Sequence, residues 1–129
     1  MVTDPISNLI VRIKNASDAK KPAVTIPQSK LVENVAHALK KNGYLSSVQK
    51  NNDTREIELG IVYFDGGKPR ITGIERISKT SRRVYQKSSD IRVFRSGFGN
   101  TFFSTPKGIM VDMDAKKLKV GGEVLFKIW

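Results

Sequence analysis

The sequence predicts an α+β protein of two small domains: an N-terminal helix–strand–helix–hairpin unit and a mainly β C-terminal domain with one short helix. Two amphipathic helical stretches lie near the N-terminus, whereas short strand patterns dominate the second half. Between them, residues 65–69 read Asp-Gly-Gly-Lys-Pro, which is the strongest turn or linker signal in the chain. We therefore expect the domains to span residues 1–64 and 65–129.

The first helix is predicted to begin where a carboxylate precedes a proline. Asp4 can cap the helix, and Pro5 suits the first helical position because its missing N–H would have no intrahelical partner there. The helical pattern fades over residues 15–18. The apolar residues at helical spacing, which we expect in the core, are Ile6, Leu9, Ile10 and Ile13.

A strand and a second helix follow. Residues 23–26 predict a short strand closed by Pro27. Ser29 is the expected N-cap of the next helix, and Gly43 its C-terminal stop. His37, the only histidine, lies beside the apolar stripe without a partner motif, so we interpret it as a surface residue and not as a general base or metal ligand. The stripe itself comprises Leu31, Val32, Val35, Ala36 and Leu39.

Two further strands are predicted to form a hairpin that folds back on the helices. They span residues 44–50 and 56–61, and a turn cluster of Asn-Asn-Asp at residues 51–53 joins them. The second strand alternates polar and apolar residues, which is typical of a strand with one face in solvent and one in the core.

The second half predicts mainly strands. Residues 71–77 fit either a helix or a strand, although Thr72 and Gly73 favour a bulged strand. Phe102 and Phe103 are expected to face opposite sides of their strand. The remaining predicted elements are strands at 82–87, 91–94, 101–104 and 124–129, a glycine turn at 97–100, and a short helix capped by Asp112 that ends near Lys119, with Trp129 as a packing anchor.

Tyr85 lies between two cations in one of these strands. The alternation places Arg83, Tyr85 and Lys87 on one face, with Val84 opposite. A tyrosine in this setting can stack on an unpaired base while its neighbours hold the flanking phosphates. The same periodicity fits a half-buried strand tyrosine equally well, and both interpretations remain open.

The stretch of residues 104–123 carries small hydrogen-bonding groups on an exposed backbone. A hydroxyl-rich turn leads into the short helix, and a glycine pair then presents Glu123. We hypothesise that this carboxylate accepts hydrogen bonds from the Ser-Thr turn or from a base amino group. Ser104 and the single histidine lack an oriented third member, so the sequence predicts no enzyme.

The charge of the chain predicts a polyanionic partner. Its 23 Lys and Arg against 12 Asp and Glu give a net charge of +11. Residues 1–64 hold nine basic and six acidic residues, whereas residues 65–129 hold fourteen and six, so the excess lies mainly in the second half. Such a localised excess indicates a nucleic-acid-binding face, because phosphate contacts release counterions.

Several other classes of protein are not expected. The chain has no Cys, which excludes disulfides and thiolate metal sites, and no cofactor motif is recognisable. Its apolar runs are far shorter than the ~20 residues of a membrane span. The first residues lack the charged and apolar regions of a secretory signal, so we expect an intracellular protein.

Motifs along nearly the whole chain resemble protein eight of the bacterial-type small ribosomal subunit. At the C-terminal end these are Ser104-Thr105, Gly108, Met110, Asp-x-Asp-Ala at 112–115, Gly121-Gly122-Glu123 and Trp129. Earlier in the chain they are Asp4-Pro5-Ile6, Arg-Ile-Lys-Asn-Ala at 12–16, Ile-Pro-x-Ser-Lys at 26–30, Gly43-Tyr44 and Arg83-Val84-Tyr85.

The resemblance implies a non-enzymatic, two-domain α+β protein that binds the central domain of small-subunit ribosomal RNA early in assembly, mostly through its C-terminal domain. It implies neighbouring ribosomal proteins as partners, and a location in the cytoplasmic ribosome or an organellar one. Some bacterial members also bind their own messenger RNA and repress its translation. Combined with the strand pattern, it gives the expected RNA-binding residues: Arg83, Tyr85, Lys87, Ser104, Thr105, Lys107, Gly108, Gly121, Gly122 and Glu123.

The chain departs from the family pattern at the site. Pro106 stands in place of a second serine, which removes one hydroxyl and one backbone donor. Val111 stands in place of a threonine that would cap the helix, and Phe98 and Asn100 replace smaller aliphatic residues. Charge alone also fits a free regulatory RNA- or DNA-binding protein, which is the alternative function.

Overall fold

A computed structural model describes residues 4–79, 81–94 and 99–129. The α+β class is confirmed, since the described residues form three α-helices and two antiparallel sheets. The chain divides into two compact units, one of Pro5–Thr72 and one of Gly73–Trp129 together with Asp4. The division follows Thr72, eight residues beyond the boundary expected after residue 64.

The N-terminal unit combines two helices with a three-stranded sheet. The sheet has the order β1-β3-β2 with both pairings antiparallel, so the predicted hairpin gains β1 as a third strand. Helix α2 packs on β2 and α1 on β1. The elements are α1 (Pro5–Asp18), β1 (Ala23–Pro27), α2 (Lys30–Lys41), β2 (Leu45–Asn51) and β3 (Glu56–Ile61).

Local sequence signals set the limits of α2. The Ser29 hydroxyl accepts a hydrogen bond from the Val32 N–H at 3.2 Å, which confirms the predicted N-cap. Gly43 adopts a φ of +84°, a left-handed value that suits glycine after a helix. Of the predicted apolar stripe, Leu31 is exposed in the first turn of α2, whereas Ala38, which was not assigned to the stripe, is buried. His37 is exposed, as predicted.

The C-terminal unit is built on one antiparallel sheet of five described strands, which differ in length. The strand order is β4-β8-β6-β7, and β5 pairs with β8, so β8 contacts three other strands. The elements are β4 (Ile74–Arg76), β5 (Tyr85–Gln86), β6 (Asn100–Thr105), β7 (Gly108–Val111), α3 (Asp112–Leu118) and β8 (Gly122–Ile128). β7 was not predicted; it lies between the hydroxyl-rich turn and α3.

Aromatic side chains form the core of this sheet. The rings of Phe102 and Phe126 stack with centroids 4.9 Å apart. Phe103 packs in a different cluster, together with Met110 and Ala115, and both phenylalanines are buried. A register shift of β6 against β8 falls between Phe102 and Phe103. The β6 strand therefore contributes to two packing layers, which is why two adjacent phenylalanines can both be buried.

Two predicted strands need correction. Residues 91–94 form no strand; Ser88–Asp90 is a short 3₁₀ helix, and Ile91 after it inserts into the core while Arg92 and Val93 stay exposed. The strand predicted at 82–87 is limited to Tyr85–Gln86. Of the glycine turn predicted at 97–100, residues 97 and 98 lie outside the described part of the chain.

Asp112 does not cap α3 as predicted. Val111 occupies the N-cap position, and Asp112 is the first helical residue, fully buried. Its carboxylate accepts hydrogen bonds from the N–H of Phe94 at 2.7 Å, the N–H of Met113 at 2.9 Å and the Asn100 amide at 3.2 Å. These three bonds satisfy the buried charge and join the start of α3 to two other parts of the unit.

Polar and aromatic contacts hold the first and last described residues of the C-terminal unit against the rest of that unit. The Asp4 carboxylate forms an ion pair with Arg76, with Oδ1 3.3 Å from Nη2. Gly73 and Trp129 exchange two backbone hydrogen bonds of 3.1 and 3.0 Å. The Trp129 ring lies edge-on to Phe94 at 5.8 Å, which confirms its predicted packing role.

Candidate nucleic-acid interface

Three strands bring the predicted site residues together. Because β8 pairs with both β5 and β6, Glu123 lies opposite Tyr85 on one side and opposite Ser104 on the other. Gly122 is likewise paired with Gln86. Residues that are about 20 and 40 positions apart in the sequence thus form one continuous row across the sheet.

The glycine pair at the start of β8, Gly121 and Gly122, is required by the close approach of the neighbouring backbones. A Cβ on Gly122 would lie 2.2 Å from the carbonyl oxygen of Ser104, and a Cβ on Gly121 would lie 2.4 Å from that of Gln86. No side chain fits at either position without a shift of backbone. The structural role of the pair is therefore close strand packing, which leaves a surface without side chains between β5 and β6.

Ser104 and Thr105, predicted as a turn, are the last residues of β6, and Pro106 and Lys107 connect β6 to β7. The Thr105 hydroxyl donates to the Gly108 carbonyl at 2.8 Å and accepts from the Lys107 N–H at 3.2 Å. Gly108 has a φ of +116°, which favours glycine. The Thr105 hydroxyl thus donates its single hydrogen bond inside the turn, while its oxygen can still accept one at the surface. Pro106 and Lys107 form the exposed tip.

Within the protein, Glu123 pairs with Arg83 and not with the Ser-Thr turn, which was one of its two hypothesised partners. The Arg83 guanidinium donates to its carboxylate at 3.0 Å, and the ion pair is partly exposed. This hydrogen bond, assisted by the negative charge of Glu123, raises the pKa of Arg83 above its usual value. The pair fixes the orientation of the carboxylate at the centre of the row.

These residues surround an open groove with a volume of about 600 Å³. Tyr85 at its edge is 68% exposed, so the half-buried alternative is wrong. Sequence reasoning missed Gln86 and Pro106 as lining residues; the position of Gln86 between Tyr85 and Lys87 was the only available signal. The groove is lined by Tyr85, Gln86, Lys87, Ser104, Pro106, Gly121, Gly122 and Glu123.

Four predicted site residues do not line the groove. Arg83 acts on it through Glu123, and Thr105 and Gly108 shape the adjoining turn. Lys107 is exposed at the tip of that turn. Most of the predicted set therefore shares one surface, but only part of it faces the groove.

Other kinds of site find little support in the described residues. Within 4–79, 81–94 and 99–129, no three His, Asp or Glu side chains are grouped as a metal ion would require. No helix in these ranges is long and apolar enough to cross a membrane.

Comparison with known proteins gives a consistent result over the full chain. The family described as Ribosomal protein S8 matches residues 4–129. The chain is 45% identical over 129 residues to the small ribosomal subunit protein uS8 of Nitrobacter winogradskyi, a match covering 98% of this chain and 97% of the relative. The uS8 proteins of Persephonella marina (43% over 136 residues, 100% of both chains) and Mycoplasmopsis synoviae (44% over 130 residues, 99% and 98%) are similar to it as well.

Proposed function

Because this chain belongs to the Ribosomal protein S8 family, we propose that it binds the central domain of small-subunit ribosomal RNA and organises assembly of that subunit. Family membership makes it a ribosomal protein with a structural role and not an enzyme. The finer assignment, to one RNA domain and one surface of the protein, is the proposal.

The observation that carries the proposal is the groove beside Tyr85. It combines an exposed aromatic ring, the cation of Lys87, the oriented carboxylate of Glu123 and a surface of glycines. The ring can stack on a base, and the missing side chains allow a nucleotide to approach the protein backbone closely. A carboxylate can accept hydrogen bonds from a base amino group.

This combination suits irregular RNA better than duplex DNA. The deep groove of an A-form helix is closed to side chains, so proteins contact unstacked bases, 2′-hydroxyls and backbone shape. We propose that an unpaired base of the RNA stem occupies the groove. The proposed contact residues are Arg83, Tyr85, Lys87, Ser104, Thr105, Lys107, Gly108, Gly121, Gly122 and Glu123, with Arg83 acting through Glu123.

Partners and location follow from the same assignment. Neighbouring small-subunit ribosomal proteins are expected around a protein in this place. The similar uS8 proteins come from bacteria, which supports a cytoplasmic ribosome. We also propose that the same surface binds the protein's own messenger RNA, at a site that mimics the ribosomal stem, because this needs no additional residues.

Competition binding tests the proposal. The chain should bind a central-domain stem with an internal irregularity, and duplex DNA of equal length should compete poorly. Thr105→Val should weaken RNA binding and leave its salt dependence unchanged, because a hydroxyl and no charge is removed. Thr105→Ser is the matched control, since it keeps the hydroxyl and should bind like the natural chain.

A free regulatory protein would give different results. It would bind duplex DNA or unrelated RNA as tightly as the ribosomal stem, and it would not cosediment with small subunits at physiological salt. Crosslinking of the chain to small-subunit RNA, with mapping of the adducts, identifies the bound segment. Adducts outside the central domain would contradict the proposal.

A further inference from the structure

Residues 65–69, the strongest turn signal in the sequence, contain a residue pair that the proposed function does not use. Asp65-Gly66 and Asn42-Gly43 are the two places in the chain where an aspartate or asparagine precedes glycine. Such pairs form succinimides spontaneously, because the nitrogen of a glycine is not shielded by a side chain. Asparagine is ordinarily the more labile of the two residues. We propose that the fold protects Asn42 and leaves Asp65 as the site of spontaneous isoaspartate formation.

The reaction at Asp65 needs only water besides the chain itself. A bond forms between the main-chain nitrogen of Gly66 and the Asp65 Cγ, a Cγ–O bond breaks, and one water molecule leaves with the amide proton. Water then opens the ring. Attack at Cγ restores aspartate, whereas attack at the α-carbonyl carbon gives isoaspartate, in which the main chain runs through Cβ. The same reaction at Asn42 would release ammonia in its first step.

Hydrogen bonds hold both reacting groups of the Asn42-Gly43 pair. Asn42 is the C-cap of α2, and its Nδ2 donates to the Ala38 carbonyl at 2.8 Å. The Gly43 N–H, whose nitrogen would attack, donates to the Lys40 carbonyl at 3.0 Å. Both bonds must break before the Gly43 nitrogen reaches the Asn42 Cγ. The reaction therefore requires a local opening of the end of α2.

The Asp65-Gly66 pair has neither restraint. Asp65 is exposed, and its carboxylate forms no hydrogen bond or ion pair with the residues that the structure describes. The Gly66 N–H likewise donates to no group among them. No atom lies within 4 Å of the position that a Cβ on Gly66 would occupy, so the surroundings of this residue are open. The pair can therefore react without losing a hydrogen bond of its own.

A tight turn presents Asp65 and Gly66 at the surface. The Phe64 carbonyl accepts a hydrogen bond from the Gly67 N–H at 3.0 Å, and Gly66 adopts a φ of +86°. This is the pattern of a type II turn, which favours glycine at its third position. An isoaspartate adds one main-chain carbon between Phe64 and Gly67. It would therefore lengthen the turn and weaken the hydrogen bond that closes it.

Tyr63 and Arg70 attach the two ends of this turn to the rest of the N-terminal unit. The Tyr63 hydroxyl lies within hydrogen-bonding distance of the carbonyl oxygens of Ala16 and Lys21. The Arg70 guanidinium lies 4.4 Å from the centre of the Tyr44 ring. A longer turn would displace these contacts. The modified chain should therefore unfold at a lower temperature than the fresh chain and keep its secondary structure.

Methylation by an isoaspartyl carboxyl methyltransferase measures the modification in the full chain. The protein is aged at neutral pH, once folded and once in guanidinium chloride, and is then digested and labelled with S-adenosylmethionine. The peptide of residues 65–66 should gain label at rates within about threefold in the two states, because no bond of the pair must open. The peptide of residues 42–43 should gain label at least about tenfold more slowly in the folded state, because two hydrogen bonds must break first.

Two matched substitutions assign the label to its source. Asp65→Glu keeps the negative charge but cannot close the same ring, so the aged folded protein should lose its methyl acceptance. Asn42→Gln is the equivalent change at the protected pair and should leave that acceptance unchanged. Thermal unfolding of the fresh proteins checks that both variants fold. Mass spectrometry separates the two reactions, because isomerisation of aspartate conserves the mass and deamidation does not.

Three results would overturn the inference. These are methyl acceptance that survives Asp65→Glu, equal labelling of the 42–43 peptide in the folded and unfolded chains, and labelling of the 65–66 peptide that folding slows tenfold or more. The inference goes beyond the proposed function, and none of these measurements involves RNA. Failure of the modification would therefore leave the proposed function standing, and failure to bind RNA would leave the modification standing.

Discussion

The Arg83 guanidinium donates a 3.0 Å hydrogen bond to the Glu123 carboxylate, so two opposite charges at the candidate interface are paired within the free protein. Glu123 also lies opposite Tyr85 in the strand register. The pair therefore contributes orientation to the interface and little net charge. Attraction for phosphate must come mainly from the other cations, of which Lys87 lines the groove.

This pairing predicts that Arg83 and Lys87 contribute differently to the salt dependence of RNA binding. Lys87→Gln should flatten the salt dependence of RNA binding by about 0.9 on the log–log plot, because one phosphate contact is lost. Arg83→Gln should flatten it clearly less, since its charge is already balanced by Glu123. The slopes are measured with the same RNA stem from low to moderate salt, and equal changes in the two proteins would contradict this view. On the sequence alone, both cations were expected to hold phosphates.

Tyr85 should contribute to binding and not to folding. Tyr85→Ala should weaken RNA binding by about 1 to 3 kcal/mol, the usual range for one stacked base. Its ring is 68% exposed, so the free energy of unfolding should stay nearly unchanged. Tyr85→Phe keeps the ring and serves as control. A loss of stability without a loss of affinity would assign Tyr85 to packing.

Gly122→Ala should damage the C-terminal unit itself. The added Cβ would lie 2.2 Å from the Ser104 carbonyl oxygen, so β6 and β8 must separate. We expect a loss of about 1 to 3 kcal/mol in the free energy of unfolding, together with loss of RNA binding. Urea unfolding measures the first and filter binding the second.

Gly66→Ala separates this steric effect from backbone strain. Gly66 has a φ of +86° and no atom within 4 Å of the position of a Cβ. It should cost about 1 to 2 kcal/mol through strain and leave RNA affinity intact. An equal loss of RNA affinity in both proteins would show that stability alone governs binding.

The raised pKa of Tyr63 predicts that the free energy of unfolding decreases at alkaline pH. Burial raises the pKa of Tyr63 above its usual value near 10. The neutral hydroxyl thus stabilises the fold fully below pH ~10, and this contribution is lost as pH rises through the higher folded-state pKa. Tyr63→Phe should lower the free energy of unfolding by about 1 kcal/mol at pH 8, and the difference from the natural chain should shrink above pH 10. A difference that stays constant to pH 11 would contradict the assignment.

Local signals predicted the N-terminal unit well. The Ser29 cap, the Gly43 stop and the hairpin each depend on a few adjacent residues, whose conformational preferences act over one or two turns of chain. Leu31 has the spacing of the apolar stripe, but its position in the first turn of α2 leaves it exposed.

The C-terminal unit was predicted less well because its structure depends on distant partners. The Arg83–Glu123 pair joins a residue that precedes β5 to one on β8, and neither spacing nor propensity indicates it. Ile91 suggested a strand, but its burial comes from packing against Phe103 and Met110. Gly121 and Gly122 approach the backbones of β5 and β6, and this close packing of distant strands could not be predicted from the glycine pair alone. The site residues stay predictions until RNA binding is measured.

The two hydrogen bonds between Gly73 and Trp129 join the two ends of the C-terminal unit, so this unit can be completed only after Trp129 has been synthesised. Residues 5–72 leave the translating ribosome before residues 73–129 and contain every described strand and helix of the N-terminal unit, so this unit can fold while synthesis continues. The C-terminal sheet lacks β8, its most connected strand, until residues 122–128 have been synthesised. A nascent or truncated chain that stops before Gly121 would therefore contain the whole N-terminal unit but not the groove beside Tyr85.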